Sequence, residues 1–394
     1  MKISLLHATR GTPDRALAAA QVWLERAVFP DSIEHLLAVQ SDDLSSVQRF
    51  TAAGATFVTT DPPPAWASSS VANWNAAAAR STGDLLVVIA DDLLPPQDWD
   101  QHLRQLPADA QQPYACYVPD TVRQDGLMCH PVLSRGLYQK RGYVFHPSFF
   151  GVYCDNDFTL RTQLEAPIYR VPNLLWQHEH FFKKKNVLPD KNAQIQNSDQ
   201  AYRFGKSTLE TLWPFHAAFE QILKAGGPLA PYLFTLATLA RDCEHLTEFG
   251  IHGGESTIAF LHGLSNKNAH LRSYHPERIP LIEQLAQHTL NTDWRYHWAE
   301  PTSLESIEET DLLLLNTRPI HSQLQRELSL HAGHVRRFLV IPHTERFAET
   351  GADSGPGLTR VLLDWVTRQP EWKIEACSLE HGGLTVLKRC APNP

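Results

Sequence analysis

The sequence predicts an α/β protein with two Rossmann-like domains, each built on a mostly parallel sheet. Three observations predict this class. Short apolar runs alternate with amphipathic stretches in the first half; an aliphatic run over residues 83–90 ends in Asp91 and Asp92; and a glycine-rich turn follows a short strand-like run in the second half. Alternating strand and helix patterns are typical of βα units, and continuous apolar runs are typical of buried parallel strands.

The elements of the first half follow one another in regular order. Strands are predicted at residues 3–6, 35–39, 55–59 and 83–90, and helices at residues 13–27 and 69–80. Asp42 and Asp43 follow the second of these strands, and Asp91 and Asp92 follow the fourth. Ligands of open α/β sheets gather beyond the carboxyl ends of the strands, so we expect these four carboxylates at one ligand-binding edge.

Asp91 and Asp92 have two interpretations. Adjacent carboxylates offer the hard oxygen ligands that Mg²⁺ or Mn²⁺ takes when it is held against a diphosphate. Alternatively, they cap a helix that begins shortly after residues 93–99. A second acidic strand end at Asp42 and Asp43 favours a binding site.

The composition is that of an ordinary soluble protein. The chain has 394 residues, 43% hydrophobic residues and a formal net charge of −8, which suits two cores and argues against nucleic acid as the main partner. No secretory signal or membrane span is visible, so we expect a cytoplasmic protein. The six cysteines show no C-x-x-C spacing and predict neither a zinc site nor a disulfide framework.

A boundary is predicted near residue 227. A helical stretch at residues 207–225 ends in Gly226, Gly227 and Pro228, a sequence that stops a helix and marks a joint between units. We therefore predict a first domain over residues 1–210, a helical linker over 211–227 and a second domain over 228–394.

The first domain resembles GT-A glycosyltransferases of the large, mostly inverting nucleotide-sugar family. The resemblance is carried by short motifs in the expected order: the opening residues 3–13, Asn75 in the following helix, Gly83-Asp84 leading to Asp91-Asp92, the acceptor-side segments 143–147 and 153–158, and His178-Glu179-His180. It implies a nucleotide-sugar donor, a glycan or other hydroxyl acceptor, and a divalent cation.

The resemblance also implies roles for individual residues. Asp91, Asp92 and His180 would hold the cation, and Asp157 would act as the base, with Asp155 orienting the acceptor or making a structural hydrogen bond. Arg10, Asp42, Asp43 and Asn75 would contact the nucleotide. The Asp155–Asp157 turn could instead cap a helix, and the basic run Lys183 to Lys185 is either a solvated loop or a cover for the diphosphate.

The second domain resembles class I S-adenosylmethionine-dependent methyltransferases. Strands are expected at 270–274, 311–315, 338–341, 372–374 and 383–387, and the glycine turn carries Glu248, Gly250, Gly253 and Ser256 as the cofactor-binding residues that the resemblance implies. Three acidic or metal-binding positions of that family are replaced, by His275-Pro276, by Asn316 with Pro319, and by Pro342-His343-Thr344. An imidazole or amide cannot make the bidentate ribose contact of a carboxylate, so we expect a degenerate domain.

Three hypotheses of function follow. The chain is a metal-dependent glycosyltransferase of surface polysaccharide or glycoconjugate synthesis, a bifunctional glycosyltransferase and methyltransferase, or a non-catalytic scaffold that binds nucleotide sugars or glycans. Self-association and peripheral contact with a membrane stay open under each. The retained acidic pairs favour the first hypothesis, and the replaced positions of the second domain count against the bifunctional one.

Overall fold

The chain forms two compact units in the computed structural model, which describes residues 1–107, 109–171, 173–179, 191–277 and 292–390. Unit 1 is Met1–Leu209 and unit 2 is Glu210–Pro394. Within the described residues each unit contains a seven-stranded sheet with helices between its strands. The predicted α/β class with two Rossmann-like sheets is confirmed.

Unit 1 begins with three βα repeats. Its elements are β1 (Ile3–Ala8), α1 (Pro13–Glu25), β2 (Ile33–Gln40), α2 (Leu44–Ala52), β3 (Phe57–Thr60), α3 (Ser70–Arg80), β4 (Leu85–Ile89), β5 (Leu93–Leu94), α4 (Trp99–Leu103), β6 (Ala115–Tyr117), β7 (Val132–Ser134), α5 (Arg135–Arg141), α6 (Cys154–Glu165), β8 (Ile168–Arg170), β9 (Gln177–His178), α7 (Lys191–Gln196) and α8 (Asp199–Leu212).

The sheet of unit 1 brings the ends of β1 and β4 together. Its strand order is β3-β2-β1-β4-β7-β6-β8, with β1 central and parallel to both β2 and β4. Every residue of β4 is fully buried, which explains its unbroken aliphatic sequence. His7 pairs with Ile89 in this register, so the residues that follow β1 and β4 emerge side by side at one edge.

Three buried tryptophans form the core beneath that edge. Trp23 of α1 contacts Trp99 of α4 with ring centroids 4.9 Å apart, and Trp176 lies 5.1 Å from Trp23. The Trp23 indole donates to the Leu93 carbonyl at 2.8 Å. Burying a large aromatic ring is worth about 2 to 3 kcal/mol, so this cluster strongly favours the packing of α1 and α4 against the segment that leads into β9.

Unit 2 has the strand order β12-β11-β10-β13-β14-β16-β15, in which β16 runs antiparallel to both of its neighbours. Its elements are α9 (His216–Ala225), α10 (Leu233–Arg241), β10 (His245–Phe249), α11 (Glu255–Gly263), β11 (Ala269–His275), β12 (Thr292–Trp298), β13 (Thr310–Leu315), α12 (His321–His331), β14 (Val335–Pro342), α13 (Leu358–Arg368), β15 (Trp372–Ser378) and β16 (Leu384–Arg389).

The segment predicted as a helical linker, residues 211–227, contains α9. Phe219 of this helix is 1% exposed and stacks on His262 of α11 with centroids 4.2 Å apart.

Among the described residues, no helix combines the length and the apolar character needed to cross a membrane.

Candidate functional site

A cavity of about 600 Å³ lies at the edge of the unit 1 sheet where β1 and β4 end. Its wall combines three arginines with four aspartates and two histidines, all from loops and element ends; these are Arg10, Arg15, Arg123, Asp91, Asp92, Asp120, Asp155, His130 and His178. The predicted edge therefore does carry a polar cavity, and mixed charge of this kind suits a ligand that has both anionic and hydroxyl groups.

Asp91 lies in the cavity wall with its carboxylate held by three side chains. His7 of β1 bonds to Oδ1 at 2.8 Å, while the Thr9 and Thr12 hydroxyls donate to Oδ2 at 2.9 and 2.5 Å. His7 is fully buried, and its other ring nitrogen lies 3.0 Å from Nε2 of His35 on β2. Burial and the nearby His7 lower the pKa of His35 to about 3, so His35 is neutral near pH 7.

Asp92 faces a histidine that is charged in the absence of a cation. Nε2 of His178 lies 3.7 Å from Asp92 Oδ2, and its Nδ1 lies 3.3 Å from Asp120 Oδ2. Burial lowers the pKa of His178, but the bonds to Asp120 and Asp92 outweigh it and raise the pKa to about 9. Burial likewise raises the pKa of Asp92, and His178, with His130 and Arg15, more than reverses this and holds it well below the usual range.

Backbone pairing fixes His178 beside Asp92. β9 pairs with β5, so His178 lies opposite Leu93, and the Glu179 amide donates to the Asp92 carbonyl at 2.8 Å. The residue before β9, Trp176, forms a parallel bridge with Asp120, so this segment also lies beside Asp120.

Asp120, His130 and His178 form a group that can hold a metal ion, because one ligand atom of each lies within 4.8 Å of the others. Asp120 also accepts the Val122 and Arg123 amides at 2.6 and 2.8 Å. Burial raises the pKa of Asp120, but His178 and these amides lower it to about 2, so it is ionised. Two imidazoles with carboxylates suit Mn²⁺ or a similar transition ion better than Mg²⁺, which prefers an all-oxygen set.

The two acids at the start of α6 have different surroundings. Asp155 lines the cavity, and the Cys129 thiol donates to its Oδ2 at 3.2 Å. Asp157 is 1% exposed, is not among the residues that line the cavity, and pairs with Arg161 one turn later at 2.7 Å. The structure thus places Asp155, rather than Asp157, where a ligand can reach it.

The predicted nucleotide contacts are largely engaged with the protein itself. Arg10 lines the cavity and pairs with the exposed Asp42 at 3.0 Å. Asp43 caps α2 through the Ser46 amide and accepts the Gly11 amide at 2.6 Å. Burial raises the pKa of Asp43, and these hydrogen bonds lower it further than burial raises it.

Asn75 fixes the acceptor-side segment. Its side-chain oxygen accepts the amides of Val144 and Phe145 at 2.9 and 3.1 Å, and its amide donates to the Phe145 carbonyl at 2.7 Å. These contacts use the side chain for the fold of residues 143–147, outside the residues that line the cavity.

His180 and the lysine run Lys183 to Lys185 lie outside the described residues. Sequence reasoning did not assign Asp120, His130, Cys129 or the buried His7. The sequence carries little sign of this group, because Asp120 follows the three-residue β6, His130 precedes the three-residue β7, and Asp120 meets His178 through the bridge between Asp120 and Trp176.

The glycine turn of unit 2 is closed by its own side chains. Glu248 is fully buried and accepts hydroxyls from Ser256, Thr257 and Ser273 at 2.6 to 2.7 Å. Burial raises its pKa, while the three hydroxyls only partly offset that rise. Gly250 adopts φ +78°, and a Cβ there would lie 1.9 Å from the Asn316 carbonyl oxygen.

The residues around this turn do not fit S-adenosylmethionine. Glu248 and Ser256 bond to each other at 2.7 Å in the interior. Nε2 of His252 lies 2.8 Å from the Asn316 carbonyl and donates to it. His275 ends β11 where a ribose-binding acid is needed, and burial, with His252 nearby, lowers its pKa. Gly253 has open space around it, but one glycine does not make a binding site.

Neither a family model nor a curated protein sequence matches this chain. Solved structures give distant matches. S. aureus TarS 1-349 in complex with UDP-GlcNAc is 11% identical, with 61% of this chain and 80% of that one covered at a TM-score of 0.36. The Pyrobaculum calidifontis mannosyltransferase PcManGT in complex with GDP-Man and Mn²⁺ is 13% identical, with 73% and 79% covered at 0.37.

The SAH-bound Podospora anserina methyltransferase PaMTH1 is 14% identical, and the match covers 53% of this chain and 100% of that one at a TM-score of 0.31. Both types of fold predicted for the chain occur among these neighbours. At such identities and TM-scores, no substrate or residue role transfers from these proteins to this one.

Proposed function

We propose that unit 1 is a metal-dependent glycosyltransferase that moves a sugar from a nucleoside-diphosphate donor to a hydroxyl acceptor. One observation carries the proposal: Asp92, Asp120, His130 and His178 converge in one cavity at the edge of the sheet where β1 and β4 end. Cavities at this edge of open α/β sheets are the usual place for nucleotides.

A divalent cation at this group would neutralise the charge that develops on the departing diphosphate. Asp92 and His178 would hold it, together with Asp120 and His130. The Asp120 contacts to two backbone amides keep that carboxylate ionised and oriented before any ligand arrives. His178 must lose its proton to bind a metal, so cation binding at neutral pH releases protons.

Asp155 is the group that we propose as the base. Asp155 lines the cavity. The Cys129 thiol donates to its Oδ2 at 3.2 Å, and the Asn156 amide donates to its Oδ1 at 3.0 Å. In the reaction, this carboxylate would take the proton of the acceptor hydroxyl while the acceptor oxygen bonds to the anomeric carbon and the bond from that carbon to the diphosphate oxygen breaks. A positioned base contributes roughly 10² to 10⁴ in rate.

The test is release of nucleoside diphosphate from a panel of nucleotide sugars by the full chain with Mn²⁺. We expect turnover of one donor class, and a loss of about 100-fold or more in the Asp92→Asn and Asp155→Asn variants. Asp109→Asn is the matched control, since Asp109 is exposed and is not among the residues lining the cavity. Full turnover in both site variants would contradict the assignment.

For unit 2 we propose a role without S-adenosylmethionine chemistry, supported by the closed glycine turn. Titration calorimetry of the full chain with S-adenosylmethionine should show no binding in the micromolar range. Micromolar binding would favour the bifunctional hypothesis instead.

A further inference from the structure

Asp91 precedes Asp92, the proposed cation ligand, but its own carboxylate is hydrogen-bonded to β1 and to the loop that follows β1. An ionised carboxylate offers about four lone-pair sites. His7 occupies one at Oδ1, and the Thr9 and Thr12 hydroxyls occupy two at Oδ2. One lone-pair site of the carboxylate, at Oδ1, is left for any further ligand.

The His7–His35 pair fixes the direction of the Asp91 carboxylate. Because the carboxylate can only accept, Nε2 of His7 donates to it, and Nδ1 of His7 is then an acceptor for Nε2 of His35. His7 is fully buried, and its backbone is held between β2 and β4. Rotating the carboxylate toward a cation in the cavity would break this chain of hydrogen bonds.

On its other side Asp91 holds the loop between β1 and α1, residues 9–12. The same loop is tied by the Gly11 amide to Asp43 at 2.6 Å and by Asn192 to the Arg10 carbonyl at 2.7 Å. Thr9, Arg10 and Thr12 line the cavity. Asp91 thus links the end of β4 to the β1–α1 loop, which forms part of the cavity wall.

We propose that Asp91 is a positioning residue: with His7 and His35 behind it, it fixes the β1–α1 loop as a wall of the donor subsite, and it leaves the cation to Asp92 and the His178 group. The assignment of this wall to the donor subsite rests on the proposed function. The role of Asp91 in fixing the β1–α1 loop does not depend on that function.

The first experiment compares Mn²⁺ binding to the full chain, without substrate, by electron paramagnetic resonance of free Mn²⁺. We expect Asp92→Asn to weaken binding at least tenfold and Asp91→Asn to change it less than threefold. An Asp91→Asn variant that loses Mn²⁺ as strongly as Asp92→Asn would overturn the proposal.

The second experiment removes a loop contact and keeps the carboxylate. Thr12→Val should raise the donor KM five- to tenfold with kcat within twofold, and Thr12→Ser, which restores the hydroxyl, should return KM to the wild-type value. A Thr12→Val variant with an unchanged donor KM contradicts the proposal.

Hydrogen exchange separates the proposed role of Asp91 from the proposed function of unit 1. Amides of residues 9–12 should exchange at least tenfold faster in Asp91→Asn and Thr12→Val than in the wild type, and not in Thr12→Ser. A chain that binds no Mn²⁺ and releases no nucleotide contradicts the proposed function, and the exchange rates still decide the role of Asp91. Unchanged exchange of these amides in Asp91→Asn would overturn the proposed positioning role of Asp91.

Discussion

Asp157 and Asp155 lie two residues apart at the start of α6, so exchanging each for asparagine gives a sharp test of the site. Asp157 is 1% exposed and Arg161 is 6% exposed, and their charged groups lie 2.7 Å apart. Removing one member of a buried ion pair costs about 3 to 5 kcal/mol, because the remaining charge loses its compensation. Glu165 also acts on the Arg161 charge, so we expect Asp157→Asn to destabilise unit 1 by up to that amount.

The measurement is urea unfolding of the full chain, with hydrogen exchange of the α6 peptide to assign the transition to unit 1. Asp155→Asn should leave the unfolding free energy within about 1 kcal/mol of the wild type, as expected for a partly exposed polar exchange, while it abolishes turnover. Replacing both Asp157 and Arg161 with leucine and methionine should cost less than Asp157→Asn alone.

The opposite pattern would refute this reasoning. If Asp157→Asn abolished turnover with an unchanged free energy of unfolding, then Asp157 would be the base, as the family resemblance implied, and the buried pair with Arg161 would be open in the active protein.

Two further predictions concern unit 2. Burial raises the pKa of Glu327 from 4.5 to about 7 despite hydrogen bonds to Gln323 and Thr317. The stability that this carboxyl contributes is complete below pH 4.5 and is lost as the pH rises through 7. By denaturant unfolding, Glu327→Gln should therefore be about 3 kcal/mol more stable than the wild type at pH 8 and equally stable at pH 4. Gly250→Ala should lower the free energy of unfolding by at least about 2 kcal/mol, since φ is +78° and the new Cβ would meet a backbone oxygen. Gly253→Ala, with open space around the residue, should lower it by less than about 1 kcal/mol in the same assay. Equal losses in the two variants would contradict the geometry.

The sequence predicted parallel strands such as β4 and β13 because their aliphatic runs are continuous. The parallel strand β12, Thr292–Trp298, was not predicted, because it alternates polar and aromatic residues. The run at residues 83–90 becomes β4 (Leu85–Ile89), fully buried, and the edge at which Asp91 emerges is the edge of the cavity. The short strands β6, β7 and β8 were not predicted. Each has only three residues, too few for a periodicity to stand out.

Side-chain roles were harder to predict than positions. A carboxylate in sequence shows neither its partners nor its exposure. The role of base was therefore predicted for Asp157, which α6 places against Arg161, and not for Asp155, which lies against Cys129. Asp120 and His130 escaped notice since their proximity to His178 depends on backbone pairing between distant segments. The departures at His275 and Asn316 were visible because a change of residue type needs no geometry to be recognised.

The knot of hydroxyls around Glu248 has a consequence for what the sequence of the glycine turn can indicate. A turn that is braced from within keeps its shape when nothing binds to it, because Glu248 and its three hydroxyl partners bond to one another in the interior. The fold alone therefore requires these residues, and their presence in the sequence is not by itself a sign that the turn binds a ligand.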